Sequence, residues 1–225
     1  QEVSIAEKCG FDHFWFFEHH VSPNSPIPSP NLMVAAASVM TSRIRLGHLT
    51  LCTSFRHPAL LAKMAATLDG ISEGRLELGL GWGSVEEELR TFGFPDEPPK
   101  VRATRLVESL EVLDRMFTGE PFSFKGRFHQ LHNAIGRPVP VQQPRIPIHI
   151  GGGGKRFTLP IAAHYAEWWN CPSYAVARLE ELLPLARPAR VYGLHRIEAV
   201  ENAVQEALLT ALRAWPKAGP PISPA

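Results

Sequence analysis

Glu18, His19 and His20 are the residues best suited to chemistry. They close the segment FDHFWFFEHH, residues 11–20, where an apolar aromatic run ends in one carboxylate and two imidazoles. The following VSPNSPIPSP can be neither helix nor strand, because its prolines fix φ and lack a donor. A buried strand that delivers an acid and two imidazoles to its end, with a long loop beyond, suits an active site at the carboxyl edge of a parallel sheet. Imidazole fits proton transfer, since its pKa lies near working pH. Adjacent strand residues point to opposite faces, so only one of the two histidines can face such a site, and His19 is preferred. The same alternation weakens a metal site made from both. A metal-dependent hydrolase would have Glu18, His48 and His149 to draw on.

Two glycine-rich turns add binding chemistry. GLGWGS, residues 79–84, runs from a strand end into a helix, so backbone can approach a ligand closely at Gly81, Trp82, Gly83 and Ser84. Its spacing is not that of a dinucleotide fingerprint. GGGGKR, residues 151–156, follows the apolar IPIHI and opens another helix. Bare N–H groups at Gly151, Gly152 and Gly153, with Lys155, Arg156 and Thr158 nearby, suit a phosphate.

The elements that must position these residues alternate. Helix is expected over 2–9, closed by Gly10, and strand over 11–17. A helix capped by Asn31 runs to about Ser42, and residues 43–53 read as one strand. Pro58 opens a helix with Leu61, Met64, Ala65 and Leu68 on one face. A strand follows at 76–82, then a helix opened by a capping box of Ser84 and Glu87. Residues 94–102 read as a Pro-rich connection and 103–118 as a long helix ending at Gly119. A hairpin over 121–131, turning at Lys125 and Gly126, interrupts the alternation, so 119–145 reads as an excursion. Strand 146–150, helix 158–165 and strand 166–171 resume it, and helices are expected at 175–187 and 196–215. The aromatic residues Phe14, Trp15, Phe16, Phe17, Trp168 and Trp169 are expected mainly in the core, and His129 and His132 in solvent. Strict alternation predicts an α/β fold with a parallel sheet.

The 225 residues are 44% hydrophobic and 20% charged with net charge +1, so a sizeable core is available and a nucleic-acid surface is not indicated. No apolar run approaches the ~20 residues of a membrane helix. The first residues lack the charged-then-apolar pattern of a secretion signal. Three dispersed cysteines give no disulfide framework, and the expected setting is cytoplasmic. The opening QEVSIAEKCG reads as a helix end with a strand expected before it, so a fragment is expected.

The blocks EKCGFDHFWFFEHH, TSRIRLGHLTLCTSFRHPALLAKMAATLDGISEGRLELGLGWG, EEELRTFG, PVQQPRIPIHIGGGGKRFTL and AAHYAEWWN resemble, in order and spacing, the luciferase-like monooxygenase family. The resemblance implies a TIM (β/α)8 barrel, with strands two to six in residues 1–170. Strand one would precede Gln1, a diverged or truncated part would fill 171–215, and a disordered tail 216–225. It implies that a histidine of the Glu18, His19 and His20 motif lies against a flavin or deazaflavin ring. It further implies that a bulge or cis peptide near Leu49 and Thr50 supports the ring, and that the 151–158 loop holds the phosphate-bearing side chain. Some related deazaflavin dehydrogenases carry a catalytic Glu where Ser84 stands. The function so implied is hydride transfer between coenzyme F420 and a small organic substrate. The alternatives are an FMN-dependent monooxygenase using O2 and a catalytically silent flavin-binding homologue. A homodimer is implied as well.

Overall fold

The computed structural model describes residues 1–21, 29–186 and 190–192. Gln1–Val191 forms one compact unit. The helix expected over 196–215 and the tail from 216 lie outside the described residues.

In chain order the elements are α1 (Glu2–Lys8), β1 (His13–Phe16), α2 (Pro30–Met40), β2 (Arg45–His48), β3 (Leu51–Cys52), α3 (Pro58–Ile71), β4 (Leu76–Gly81), α4 (Glu86–Thr91) and α5 (Pro99–Phe117). After them come β5 (Phe122–Lys125), β6 (Gln130–Ala134), β7 (Ile148–Gly151), α6 (Thr158–Tyr165), β8 (Trp168–Asn170), α7 (Leu179–Ala186) and β9 (Arg190–Tyr192). The main sheet runs β1-β2-β4-β7-β8-β9, with β3 also on β4, and curls into a partial barrel. The pairings β1 to β2, β2 to β4, β4 to β7 and β7 to β8 are all parallel. This is the parallel α/β sheet that the alternation predicts, curled as the resemblance implies.

All six residues of β4 are buried, and its two faces divide the work. Leu76, Leu78 and Leu80 alternate with Glu77, Gly79 and Gly81, so one face is aliphatic core and the other is polar or bare. On the polar face Glu77 bonds His149 Nε2 at 2.6 Å and pairs with Arg45. Burial pushes the Glu77 carboxyl up, but the His149 and Arg45 contacts outweigh it and hold it below the ordinary carboxylate value. His149 stands edge-on to Trp15 and stacks on Trp168.

Several boundaries differ from expectation for local reasons. The residue before a proline is biased away from helix, so Ser29 is the N-cap of α2 and Pro30 the first helical residue. Asn31 lies inside the helix rather than capping it. The expected strand over 43–53 divides into β2 and β3, with the Leu49–Thr50 peptide bond, which is cis, between them. No capping box forms at Ser84: α4 starts two residues later behind Val85, with no side-chain cap. Helix α5 begins at Pro99, since proline is tolerated in a first turn. In place of the single helix expected over 175–187, the described residues hold a 3-10 turn, Ser173–Arg178, and α7, which ends at Ala186. Strand β9 was not anticipated; three residues are too few for alternation to show.

The excursion is the hairpin β5–β6, antiparallel, and Glu108 of α5 anchors it. Its carboxylate accepts from the backbone of Arg127 (2.8 Å), Phe128 (2.9 Å) and His129 (3.2 Å). His129 is therefore buried, against the expectation of solvent exposure, with its ring on Ser109 Oγ and edge-on to His57. Burial and the neighbouring His57 push its pKa down to about 4. Phe17, expected in the core, is 37% exposed.

His48 ends β2 fully buried, and neither ring nitrogen has a hydrogen-bond partner. Burial pushes its pKa from 6.5 down to about 3. Below pH ~6.5 the unfolded chain takes up a proton that the fold refuses, so stability falls as pH falls, by about 1.4 kcal/mol per unit. Between neutrality and about pH 4.5, His48→Leu is expected to lose about 2–3 kcal/mol less than wild type. Urea unfolding at both pH values checks it; equal acid losses in the two proteins would refute the assignment.

Candidate active site

A cavity of about 520 Å³ opens at the carboxyl ends of β1, β4, β7 and β8. That volume lies within the range of small-molecule and cofactor sites. Its floor is the cis bond between Leu49 and Thr50. Glycines bring the walls close to that floor. A Cβ on Gly81 would lie 2.7 Å from Thr50 Oγ1, and one on Gly151 2.8 Å from Thr50 Cγ2. Gly83, with φ at +83°, tolerates no side chain against Cys52 Sγ.

Most of the residues that the sequence singled out meet here. Glu18, His19, Leu49, Thr50, Gly81, Trp82, Gly83, Ser84, Gly151, Gly152, Gly153 and Thr158 all line the cavity. Trp82 is fixed by its indole N–H, which donates to Thr158 Oγ1 at 3.2 Å, and the buried Arg102 lies over its ring. Trp169, wholly buried, donates to the Gly152 carbonyl at 2.9 Å and ties β8 to the glycine loop.

Three of the singled-out residues, Arg156, Lys155 and His20, lie elsewhere. Arg156 is not among the lining residues, and its guanidinium lies over the Phe157 ring. Lys155 pairs with Glu181 of α7 instead of facing the cavity. The His20 ring lines a second cavity of about 300 Å³, with Phe55, Phe92 and Phe94. Glu18 and Phe55 border both cavities and so form the wall between them.

Glu18 is buried and spoken for. Its Oε2 accepts from Arg56 Nη1 at 2.8 Å and from the Cys52 amide at 2.7 Å, and Oε1 pairs with Arg56 Nη2. A carboxylate held by a guanidinium and a backbone N–H is a structural anchor for the strand end. His48 and His149 do not join it as metal ligands. His149 Nε2 is committed to Glu77, and His48 points to the opposite face of the sheet from Arg45 and Gly47.

The residue that sequence reasoning missed is Glu88. Helix α4 buries only Glu88 and Leu89, and Glu88 Oε1 accepts from the His20 backbone N–H at 2.8 Å and faces His19 Nδ1 at 3.3 Å. The signal was three adjacent acids, Glu86 to Glu88, of which periodicity alone does not say which turns inward. Asn170 and Tyr174 also line the cavity unannounced.

Residues 1–198 match the luciferase-like monooxygenase family model. The chain is 32% identical over 169 residues to 4-hydroxyprotoasukamycin monooxygenase of Streptomyces nodosus subsp. asukaensis, covering 73% of this chain and 45% of that protein. It is 28% identical over 212 residues to the F420-dependent glucose-6-phosphate dehydrogenase of Amycolatopsis mediterranei, covering 89% and 61%. Its fold matches the crystal structure of monooxygenase RslO1 from Streptomyces bottropensis with a TM-score of 0.75 at 26% identity, over 94% of this chain and 72% of that one. The chain spans about half the length of the curated relatives it matches. A parallel barrel sheet with one glycine-walled cavity at its carboxyl edge, and a family match over nearly the whole length, make this chain a member of the luciferase-like monooxygenase family.

Proposed function

We propose that the cavity holds the ring of coenzyme F420 and that the protein is an oxidoreductase acting on a small organic substrate. The observation that carries this reading is the convergence, in one cavity, of the Thr50 floor, the bare Gly81 and Gly151 walls, and one imidazole, His19. A flat ring needs two close, side-chain-free walls, and a Cβ at either glycine would narrow the space against Thr50. The residues present therefore fit such a group. Among the relatives, the alignment with the F420-dependent dehydrogenase runs over 89% of this chain.

When bound, reduced F420 supplies a hydride. The protein's part is positioning and a proton. Leu49 and Thr50 support the ring from below, and Gly81 to Ser84 form one wall. Gly151 to Gly153 would give the side chain a bare backbone wall beside Thr158 at the start of α6, but the Gly152 N–H, expected to be free, is spent on the Asn170 carbonyl at 3.2 Å. His19, on the cavity side of the strand end, gives or takes the proton that balances the hydride at the substrate.

A second reading is favoured by Ser84. Some related deazaflavin dehydrogenases carry a catalytic Glu at that place, and this chain is similar to a monooxygenase at 32% identity. In that reading the cavity takes FMN and the co-substrate is O2. The two readings separate by titration of the protein with F420 and with FMN, followed by fluorescence quenching and thermal shift. At about 100 times Kd a ligand adds about 2.7 kcal/mol, which raises Tm by about 5–10 °C for a chain of this size. That shift is expected with F420. Tight FMN binding without response to F420 would overturn the first reading.

A further inference from the structure

We infer that Glu88 is a positioning residue that fixes the tautomer of His19. The inference rests on the reading of His19 as the proton-transfer group. One carboxylate oxygen serves two neighbours: Glu88 Oε1 lies 2.8 Å from the His20 amide nitrogen and 3.3 Å from His19 Nδ1. A backbone N–H can only donate, so Oε1 is an acceptor, and an acceptor facing Nδ1 selects the tautomer with the proton on Nδ1. In the neutral ring Nε2 then carries the lone pair.

Glu88 is well placed to impose this choice. Its side chain is 5% exposed against 44% for His19, so the carboxylate is the fixed partner and the imidazole the adjustable one. The charge-assisted bond from the His20 amide holds it from the backbone side. The other carboxylate of the strand end, Glu18, does not compete. It is taken up by Arg56 and the Cys52 amide, and its remaining neighbour is His20 Nε2 at 3.4 Å. The two histidines thus have separate carboxylates, His19 with Glu88 and His20 with Glu18. Helix α4 follows directly on the glycine wall at Gly81 and Gly83, so the element that shapes the ring site also sets the proton-transfer group.

The test reads His19 in the protein without cofactor. Nitrogen-15 histidine spectra at about pH 8.5, well above the ordinary imidazole value of ~6.5, distinguish the two neutral tautomers, with His19→Asn assigning the signal. Wild type is expected to show the Nδ1–H form. Glu88→Ala is expected to shift His19 toward the Nε2–H form, and Glu88→Asp to restore part of the wild-type signal. In the loaded enzyme, Glu88→Ala is expected to lower kcat about 10-fold or more while KM stays near wild type, and Glu88→Gln, which keeps shape and an acceptor oxygen, to recover part of the loss. An unchanged His19 tautomer in Glu88→Ala would overturn the inference. The spectra need no bound cofactor, so a wild-type protein that shows the Nδ1–H form yet binds neither F420 nor FMN would sink the functional reading alone.

Discussion

Replacing His19 by Asn is expected to lower turnover about 10²–10⁴-fold, the usual contribution of a positioned acid or base. Cofactor affinity is expected to stay within about threefold, because the cavity's walls and floor come from Gly81, Gly151 and Thr50, none of which the change touches. Asn retains a donor for Glu88 Oε1, so the strand end keeps its geometry while the titratable ring is lost. The comparison that gives this weight is His20→Asn. Its ring lies beyond the wall of Glu18 and Phe55, against Phe92, and its loss is expected to cost far less in turnover. Steady-state kinetics and cofactor titration on both variants decide it. Equal losses in kcat would show that neither imidazole is selected by the cavity.

The second large effect is on stability. Arg56→Met is expected to destabilise the fold by about 3–5 kcal/mol, the range for stripping a partner from a buried charge. The Glu18 side chain is 1% exposed and Arg56 16%, and Arg56 also donates to the Cys52 carbonyl at 2.6 Å. Without the guanidinium, the Glu18 carboxylate keeps only the Cys52 amide and the more distant His20 ring. The double change Glu18→Leu with Arg56→Met is expected to recover most of the loss, since a buried pair exchanged for apolar groups of similar size is often near neutral. Urea denaturation of the single and double variants measures both. A single variant within about 1 kcal/mol of wild type would mean that water reaches this pair.

The parallel α/β order was legible because its signal is local and repeated. Apolar runs such as LELGLG are bounded by turns and followed by helices with apolar stripes, and each run is informative alone. The glycines were legible for a different reason. Gly81 and Gly151 stand at strand ends before helices, where a missing side chain has few other uses. Even the cis bond fell where the resemblance put it, at Leu49 and Thr50. The failures at Asn31 and Ser84 share a cause. Both are good caps by type, but a proline in the first case and the turn after Gly83 in the second set the helix start elsewhere.

What the sequence determined by itself, then, is the order of strands and helices, the family, and the placing of an acid and two imidazoles at one strand end. Those depend on period and spacing, which are written along the chain. What only the tertiary structure decided is which partner each group meets. It gave Glu18 to Arg56 and Glu88 to His19, and buried His129 beneath a loop anchored by Glu108. Such pairings join residues tens of positions apart. They depend on how far each helix is rotated over the sheet, and no pattern within a single segment records that angle.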